Sequence, residues 1–265
     1  RWKLMSESPN GIILVTGPTG SGKTTTLYST LKQLATSAVN VCTIEDPIEM
    51  VEPAFNQMQV QNAIELDFAQ GVRALMRQDP DIIMVGEIRD LETAEVTIQA
   101  ALTGHLVLST LHTNDSPAAV TRMLDLGVPS YLISATVLGV MAQRLVRVLC
   151  PSCKKSSPAS AEDESMWDRL VAPWKANRPA QFHHPVGCLE CRMTGYRGRV
   201  GVYEILMLSP DMKQAISDNA DVSKIRDLAY REGMKPLRIS GAMKIAAGMT
   251  TLAEVFKVSP PSERI

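Results

Sequence analysis

The stretch GPTGSGKT, residues 17–24, decides the fold, because it matches the pattern G-x-x-x-x-G-K-[ST] between an apolar run and a helical pattern. In that setting the backbone N–H groups of the turn cradle phosphates, Lys23 brings positive charge to them, and Thr24 can place its hydroxyl on Mg²⁺. A glycine-rich turn with a chance lysine is the weaker alternative. The candidate ATP-binding residues are Gly17, Pro18, Thr19, Gly20, Ser21, Gly22, Lys23, Thr24 and Thr25.

Four short apolar runs predict strands that are buried on both faces: residues 12–16, 41–44, 82–85 and 105–111. Amphipathic stretches at helical spacing lie between these runs. The alternation of strands and helices predicts an α/β fold with a mostly parallel sheet, which binds ligands at the carboxyl ends of its strands. Polar residues that follow a strand are therefore the first candidates for chemistry.

Three carboxylates follow the second predicted strand: Glu45, Asp46 and Glu49. So much negative charge at a ligand-binding edge is costly unless a cation or a polarised water lies among the carboxylates. The pattern predicts that Glu45 and Asp46 take part in handling the metal and its water. A solvated acidic loop, in which Asp46 and Pro47 start a turn, remains the alternative.

The third strand is followed by Gly86 and Glu87, and the glycine holds the position where such a strand usually carries a metal-binding aspartate. Glu87 then emerges at the carboxyl edge, where it can accept a hydrogen bond from the water that attacks the γ phosphate. An acid that starts the following helix is the alternative. Because Gly86 lacks a side chain, it is expected to leave room for metal-bound water.

Two histidines flank the fourth predicted strand, with His105 at its beginning and His112 at its end. Their odd separation puts them on opposite faces of an ideal strand, and only His112 lies at the carboxyl edge. The position predicts that His112 orients the water or senses the γ phosphate, whereas a hydrogen-bonded structural role suits His105.

Four of the five cysteines form two C-x-x-C pairs: Cys150, Cys153, Cys188 and Cys191. This spacing predicts a structural Zn²⁺ site, because four thiolates fill a tetrahedral shell and leave no position for a catalytic water. Residues 154–187, between the pairs, are expected to loop out without disturbing the site. His183 and His184 are alternative ligands, and Cys42 is interpreted as a small buried apolar residue.

The 265-residue chain carries 27 Lys and Arg against 28 Asp and Glu, a net charge of −1, and its aromatic content is 5%. This composition argues against a nucleic-acid translocase, since that class needs basic surface and aromatic platforms for stacking bases. A non-hydrolysing nucleotide-binding scaffold is the second rival hypothesis, and Glu87 argues against it. We expect a cytoplasmic location, and the start at Arg1 suggests the C-terminal part of a longer protein.

Five segments resemble the secretion ATPases of type II secretion systems and type IV pilus assembly (the GspE/PilB type): residues 17–28, 43–49, 77–90, 103–115 and 142–147. They include the Walker A, Asp-box, Walker B and His-box segments of that family. The resemblance implies a RecA-like P-loop core that forms a hexameric ring and hydrolyses ATP with Mg²⁺. The catalytic candidates are Lys23, Glu45, Asp46, Glu87 and His112.

The same resemblance implies that hydrolysis powers pilin or pseudopilin assembly, or protein export. The expected partners are other copies in a homo-hexamer, an inner-membrane platform protein and cytoplasmic adaptor proteins; nucleic acid is not expected, and the membrane is reached through partners. A tetracysteine segment indicates the assembly and secretion branch rather than the retraction motors. A preceding domain of family members donates arginines to a neighbouring nucleotide, and Arg73, Arg77 and Arg89 are weak candidates for that role.

The predicted organisation has five parts. They are a RecA-like ATPase core at residues 1–149, a zinc-binding insert at 150–192, a strand segment returning to the core at 193–208, a C-terminal helical subdomain at 209–258 and a disordered tail at 259–265. About three helices are expected within the helical subdomain, and its methionines (Met234, Met243 and Met249) are interpreted as core or subunit-interface packing rather than as metal or cofactor ligands.

Overall fold

The computed structural model describes residues 1–259, and the predicted disordered tail lies outside the described residues from Pro260 onward. The chain divides into two compact units. The first unit comprises Arg1–Ala142 and Ile205–Met234, and the second unit comprises Gln143–Glu204 and the chain from Lys235. These divisions differ from the predicted domain limits, which stay predictions.

The described chain contains nine strands: β1 (Gly11–Thr16), β2 (Val41–Glu45), β3 (Asn56–Gln59), β4 (Ile82–Val85), β5 (Leu106–Leu111), β6 (Val137–Leu149), β7 (Lys155–Pro158), β8 (Gln181–His184) and β9 (Tyr196–Met207). Seven of them form one sheet in the order β3-β2-β4-β5-β1-β6-β9. In this order, each pair of neighbouring strands from β3 through β2, β4, β5 and β1 to β6 is parallel. The predicted α/β fold with a parallel sheet is thus confirmed.

Helices cover this sheet and build the second unit: α1 (Trp2–Ser6), α2 (Lys23–Leu34), α3 (Phe68–Leu75), α4 (Leu91–Leu102), α5 (Ser116–Asp125), α6 (Ser130–Thr136), α7 (Ala161–Val171), α8 (Pro210–Ser217), α9 (Val222–Arg231), α10 (Leu237–Ala246) and α11 (Leu252–Val258). The packing of β1 shows why the four apolar runs do not alternate between apolar and polar residues. Ile12 and Leu14 pack in one core, whereas Ile13 and Val15 pack in another with Leu27 of α2. Judged by length and hydropathy, the helices between residues 1 and 259 include no candidate membrane span.

The four predicted strands are confirmed to within one residue at each end. The sequence does not predict β3, because its residues, NQMQ, include no apolar run. β3 is an edge strand of the sheet and pairs on one side only. The predicted helical subdomain is divided between the units. α8 and α9 belong to the first unit, since Met212, Ile216 and Ile225 join its core, whereas α10 and α11 belong to the second.

The stretch between the cysteine pairs, expected to loop out, is folded. β7 and β8 pair antiparallel within it, and α7 begins with a capping box in which Ser160 and Asp163 bond each other's backbone N–H groups. Trp167 of α7 is buried and meets the ring of Phe182 edge-on, with centroids 6.0 Å apart. The insert therefore has an apolar contact of its own that orders it.

A buried glutamate of α11, Glu254, forms ion pairs with Arg147 of β6 and with Lys257 within the second unit. Glu254 Oε1 lies 2.7 Å from Arg147 Nη2 and 2.9 Å from Lys257 Nζ, and Oε2 lies 3.0 Å from Arg147 Nε. The Arg147 guanidinium also lies 4.0 Å from the centroid of the Tyr196 ring. The hydrogen bonds from Arg147 lower the pKa of Glu254 to about 2.

A carboxyl group whose pKa falls on folding stabilises the folded state above its unfolded pKa, and the contribution is lost as the pH falls through the folded value. Glu254→Gln is therefore expected to lower the free energy of unfolding by about 1–3 kcal/mol near neutral pH and by less as the pH falls from about 5 toward 2. Denaturant unfolding of both proteins across this range measures the difference. Because both proteins keep the four cysteines, acid effects on the thiols cancel. A difference that is the same near pH 7 and at low pH would contradict the lowered pKa.

Candidate functional site

The glycine-rich turn joins β1 to α2, as predicted. Gly17, Gly20 and Gly22 have φ values of 153°, 77° and 86°, which favour glycine because side chains rarely tolerate them. Lys23 Nζ donates hydrogen bonds to the carbonyl oxygens of Gly17 at 2.8 Å and Pro18 at 3.2 Å. The ammonium group is thus folded over the turn, where phosphate oxygens can replace these acceptors. The other candidates are the buried Ser21, the half-buried Thr24 and the exposed Thr19 and Thr25.

The register of the parallel strands brings the predicted catalytic residues to one edge of the sheet. The last residues of β1 and β5 are paired, so His112 follows β5 beside the glycine-rich turn. On the other side of β4, the backbone N–H of Gly86 donates to Ile44 O at 2.8 Å. This bond places Glu87 next to Asp46, where β2 ends.

Both carboxylate oxygens of Glu87 are engaged. Oε2 lies 3.3 Å from His112 Nε2, and Oε1 accepts a hydrogen bond from Arg89. Arg89 also lies 3.6 Å from Asp46, between Nη1 and Oδ2, and its guanidinium carbon lies 5.8 Å from the centroid of Phe68. Arg89 thus joins Asp46 to Glu87, and Glu87 in turn contacts His112. Sequence reasoning missed this pairing, although the two-residue separation from Glu87 is a signal that could have found it.

The space beside Gly86 is filled by packing, so the expectation that it holds metal-bound water is wrong. A Cβ atom built on Gly86 would lie 3.1 Å from Phe68 Cε1 and 3.2 Å from the carbonyl oxygen of Ile44. Both distances are tighter than side chains normally make. Gly86 therefore permits the close approach of α3 and β2 to the end of β4.

The three carboxylates at and after the end of β2 lie in two environments. Asp46 and Glu49 are exposed, and Thr24 Oγ1 lies 3.4 Å from Glu49 Oε1. Glu45 is only 3% exposed and accepts a hydrogen bond from the hydroxyl of Tyr28 at 2.7 Å. Burial, with the hydrogen bond and charge of Glu45, raises the pKa of the Tyr28 phenol, which therefore stays protonated and can donate.

Sequence reasoning missed two residues around Glu45, namely Tyr28 and Gln57. A tyrosine on the apolar face of a helix needs a partner for its hydroxyl, and that is the signal that could have found Tyr28. Gln57 lies in the polar strand β3, which gives no such signal. His105 Nδ1 lies 2.8 Å from the carbonyl oxygen of Ala100, in keeping with the structural role expected of it.

The four sulfur atoms predicted to bind metal lie within 4.8 Å of one another, which confirms the tetracysteine cluster as a feature of the second unit. The Sγ–Sγ distances are 3.9 Å for Cys150 and Cys188, 3.8 Å for Cys153 and Cys191, and 3.7 Å for Cys188 and Cys191. A tetrahedral ion with Zn–S bonds of about 2.3 Å holds its sulfur ligands about 3.8 Å apart. The cluster therefore fits Zn²⁺.

Backbone N–H groups point at two of these sulfur atoms. Cys153 Sγ accepts from Gly187 at 3.3 Å, and Cys191 Sγ accepts from Cys188 and Gly195 at 3.2 Å each. Burial by itself raises the pKa of the Cys191 thiol, but these N–H groups and the neighbouring thiols outweigh it and lower the pKa to about 6. One of the four thiolates that a metal requires, that of Cys191, is then populated at neutral pH. The two histidines of β8 are not part of the cluster.

Residues 3–257 match the family model described as "Type II/IV secretion system protein". The chain belongs to this family. The resemblance expected from the sequence is thereby confirmed, and it extends over nearly all of the described residues.

Curated relatives of this type II/IV secretion system protein are similar over almost its whole length. The type IV pilus assembly ATPase TfpB of Acinetobacter baylyi is 60% identical over 98% of this chain and 44% of the relative. The type II secretion system ATPase E of Vibrio cholerae is 45% identical over 98% of this chain and 51% of the relative. The chain therefore spans about half the length of the curated relatives it matches.

Solved structures of related proteins have the same fold. The pilus retraction motor PilT with bound ADP superposes with a TM-score of 0.71 at 29% identity, over 98% of this chain and 64% of that chain. The ATPase DotB of Legionella pneumophila gives a TM-score of 0.69 at 25% identity, over 97% of this chain and 62% of that chain. One of these two related structures thus holds a bound nucleotide.

Proposed function

We propose that this chain is the ATP-hydrolysing part of a motor that powers pilin or pseudopilin assembly, or protein export, in a type IV pilus or type II secretion system. The observation that carries the proposal is that Lys23, Glu87 and His112 follow neighbouring strands at one sheet edge, with Glu87 in contact with His112. The relatives named as a pilus assembly ATPase and a secretion ATPase support the cellular role.

The glycine-rich turn and the start of α2 bind the phosphates. The N-terminus of a helix carries unsatisfied N–H groups and a partial positive charge, so it attracts anions. Lys23 adds a full charge when it exchanges its contacts with Gly17 and Pro18 for the β and γ phosphate oxygens. Binding energy from this turn holds the γ phosphate at the sheet edge, close to the groups that act on water.

Oxygen ligands for a divalent cation lie beside the same turn. Mg²⁺, when bound, would offset the negative charge of the phosphates. Thr24 would hold it directly, and the exposed acids Asp46 and Glu49 would reach it through water. A hydroxyl with nearby carboxylates suits this hard cation, and the 3.4 Å contact between Thr24 and Glu49 supports the grouping.

Glu87 is the residue that orients the attacking water and accepts its proton. Its two oxygens contact Arg89 and His112, and each oxygen keeps a further lone pair that can accept a hydrogen bond from water. His112 is half exposed and keeps the carboxylate turned toward the phosphate edge. Glu87 thus lies where a general base for hydrolysis is needed.

Structural Zn²⁺ in the four-cysteine cluster completes the proposal for this chain. Four thiolates leave no open coordination position, so the metal fixes the fold and takes no part in hydrolysis. It would tie together the two ends of the insert formed by residues 154–187. The sulfur–sulfur distances near 3.8 Å support this role.

In this role the protein acts as a homo-hexamer in the cytoplasm. It contacts an inner-membrane platform protein and cytoplasmic adaptor proteins, and it reaches the membrane through them. Family membership supports this assignment. The net charge of −1 offers no general attraction to nucleic acid, which argues for protein partners.

Lys23→Met tests the phosphate site. The variant loses the charge that meets the phosphates, so ATP binding is expected to weaken by about 10- to 100-fold, with a matching loss of turnover. Equilibrium binding of a fluorescent ATP analogue and phosphate release by the whole protein measure the two effects. Lys32→Met is the matched control, because Lys32 lies on the same helix but pairs with Glu52 at 2.5 Å. Unchanged ATP affinity in Lys23→Met would refute the assignment.

A further inference from the structure

The carboxylate of Glu45 is enclosed by hydrogen-bond donors of the protein. Thr43 Oγ1 lies 2.6 Å and Gln57 Nε2 lies 3.3 Å from Oε1, while Tyr28 OH lies 2.7 Å from Oε2. A buried carboxylate is costly unless its oxygens are satisfied; Thr43 donates to Oε1 and the hydroxyl proton of Tyr28 goes to Oε2. Glu45 is therefore engaged on both oxygens by groups that belong to the fold.

The same residues also hold the end of the acidic loop, residues 46–50. Gln57 Nε2 donates to the carbonyl oxygen of Met50 at 2.9 Å and to Tyr28 OH at 2.8 Å, and the hydroxyl oxygen of Tyr28 lies 3.0 Å from that carbonyl oxygen. Gln57 Oε1 accepts from the N–H of Glu52 at 2.7 Å. One network thus joins α2, β2 and β3 to the backbone where the acidic loop ends.

The position of Tyr28 connects this network to the phosphate site. Tyr28 and Thr24 are four residues apart on α2, so their side chains share one face of the helix. Thr24 contacts Glu49, which lies next to the anchored Met50. Gln57, which Tyr28 fixes by accepting its second N–H, holds Met50 and therefore holds Glu49 against the first turn of α2.

We infer that Glu45 is a positioning residue and not a catalytic one. With Tyr28 and Gln57 it fixes the acidic loop so that Glu49 faces Thr24, and it touches neither the metal nor the water. This inference rests on the proposed function of the site and deepens it, since it separates the acids that act at the nucleotide from the one that places them. It revises the role that the sequence predicts for Glu45.

Glu45→Gln distinguishes the two roles. Glutamine keeps the shape and an accepting oxygen, and its amide group can donate to the hydroxyl of Thr43, so the network survives in modified form. Turnover is expected to stay within about 10-fold of the wild type. A residue that handles metal or water by its charge would lose about 100-fold or more. A loss in Glu45→Gln as large as that in Glu87→Gln would overturn the inference.

Tyr28→Phe tests the anchor itself. The variant lacks the hydroxyl but keeps the ring, which packs edge-on against Phe55 with centroids 5.6 Å apart. The Mg²⁺ concentration for half-maximal turnover is expected to rise by about 5- to 20-fold, with ATP binding in the absence of Mg²⁺ unchanged. Tyr131→Phe removes a hydroxyl from an exposed tyrosine of the first unit and is the matched control. An unchanged Mg²⁺ requirement in Tyr28→Phe would overturn the inference.

Amide hydrogen exchange keeps this test separate from the proposed function. In Tyr28→Phe the amides of residues 48–52 are expected to exchange about 10-fold faster than in the wild type, whereas Tyr131→Phe leaves them unchanged. If the wild-type protein released no phosphate, the proposed function would fail while the exchange data still decided the anchoring. Unaltered exchange in Tyr28→Phe would refute the anchoring whether or not ATP is hydrolysed.

Discussion

Glu87→Gln is expected to lower ATP turnover by about 100- to 1000-fold, the usual contribution of a general base. The amide cannot take up a proton from water, although its shape and volume match those of the carboxylate. It can still contact His112 and Arg89, so the sheet edge should keep its structure. ATP binding, which depends on the glycine-rich turn, is expected to stay within about 3-fold of the wild type.

Phosphate release and nucleotide binding measured side by side with the whole protein check this expectation. Glu95→Gln is the matched control, because Glu95 is an exposed acid on α4 and is expected to have no effect. If Glu87→Gln hydrolysed ATP at the parental rate, the base would have to be another acid. The exposed Asp46 and Glu49 would be the next to test.

Cys191→Ser is expected to remove the zinc and to destabilise the second unit. Serine is a poor zinc ligand at neutral pH, and the remaining three thiolates leave the tetrahedral shell incomplete. Since structural zinc contributes about 10 kcal/mol of apparent binding free energy in small peptides, a loss of several kcal/mol is expected here. The zinc content measured by metal analysis should fall from about one zinc per chain to near zero.

The loss of zinc and of stability is expected for substitutions in the four-cysteine cluster and not for substitution of the remaining cysteine. Cys42→Ala is the control, because Cys42 is buried in β2 and contributes no ligand. That variant is expected to keep its zinc. Treatment of the wild-type protein with a chelator should reproduce the thermal unfolding curve of Cys191→Ser. Undiminished zinc in Cys191→Ser would rule out the four-cysteine assignment.

The sequence predicts those parts of the fold that depend on neighbouring residues. The apolar run, the glycine-rich turn and the helical pattern around Lys23 are contiguous, so local rules place all three. The four-cysteine site can be predicted for the same reason, because the local spacing within each C-x-x-C pair already indicates metal ligands. The apolar runs that predict β2, β4 and β5 succeed because both faces of these strands are buried.

The remaining parts of the site depend on contacts between distant segments. Gln57 meets Glu45 only because β3 pairs with β2, and the polar sequence of β3 gives no indication of that register. Gly86 was misjudged for the same reason, because Phe68, which fills the space beside it, comes from α3. Burial then separates Glu45 from Asp46 and Glu49, although the three acids look equivalent in the sequence.

Strands β6 and β9 limit how this protein can be truncated. The two units divide inside both strands, between Ala142 and Gln143 in β6 and between Glu204 and Ile205 in β9. A shortened protein that stopped at residue 142 would end in the middle of a strand, and a deletion of residues 143–204 would have to rejoin two cut strands. Such fragments risk aggregation through unpaired strand segments. The contribution of the cysteine-bearing unit is therefore better measured by single substitutions in the intact chain than by truncation.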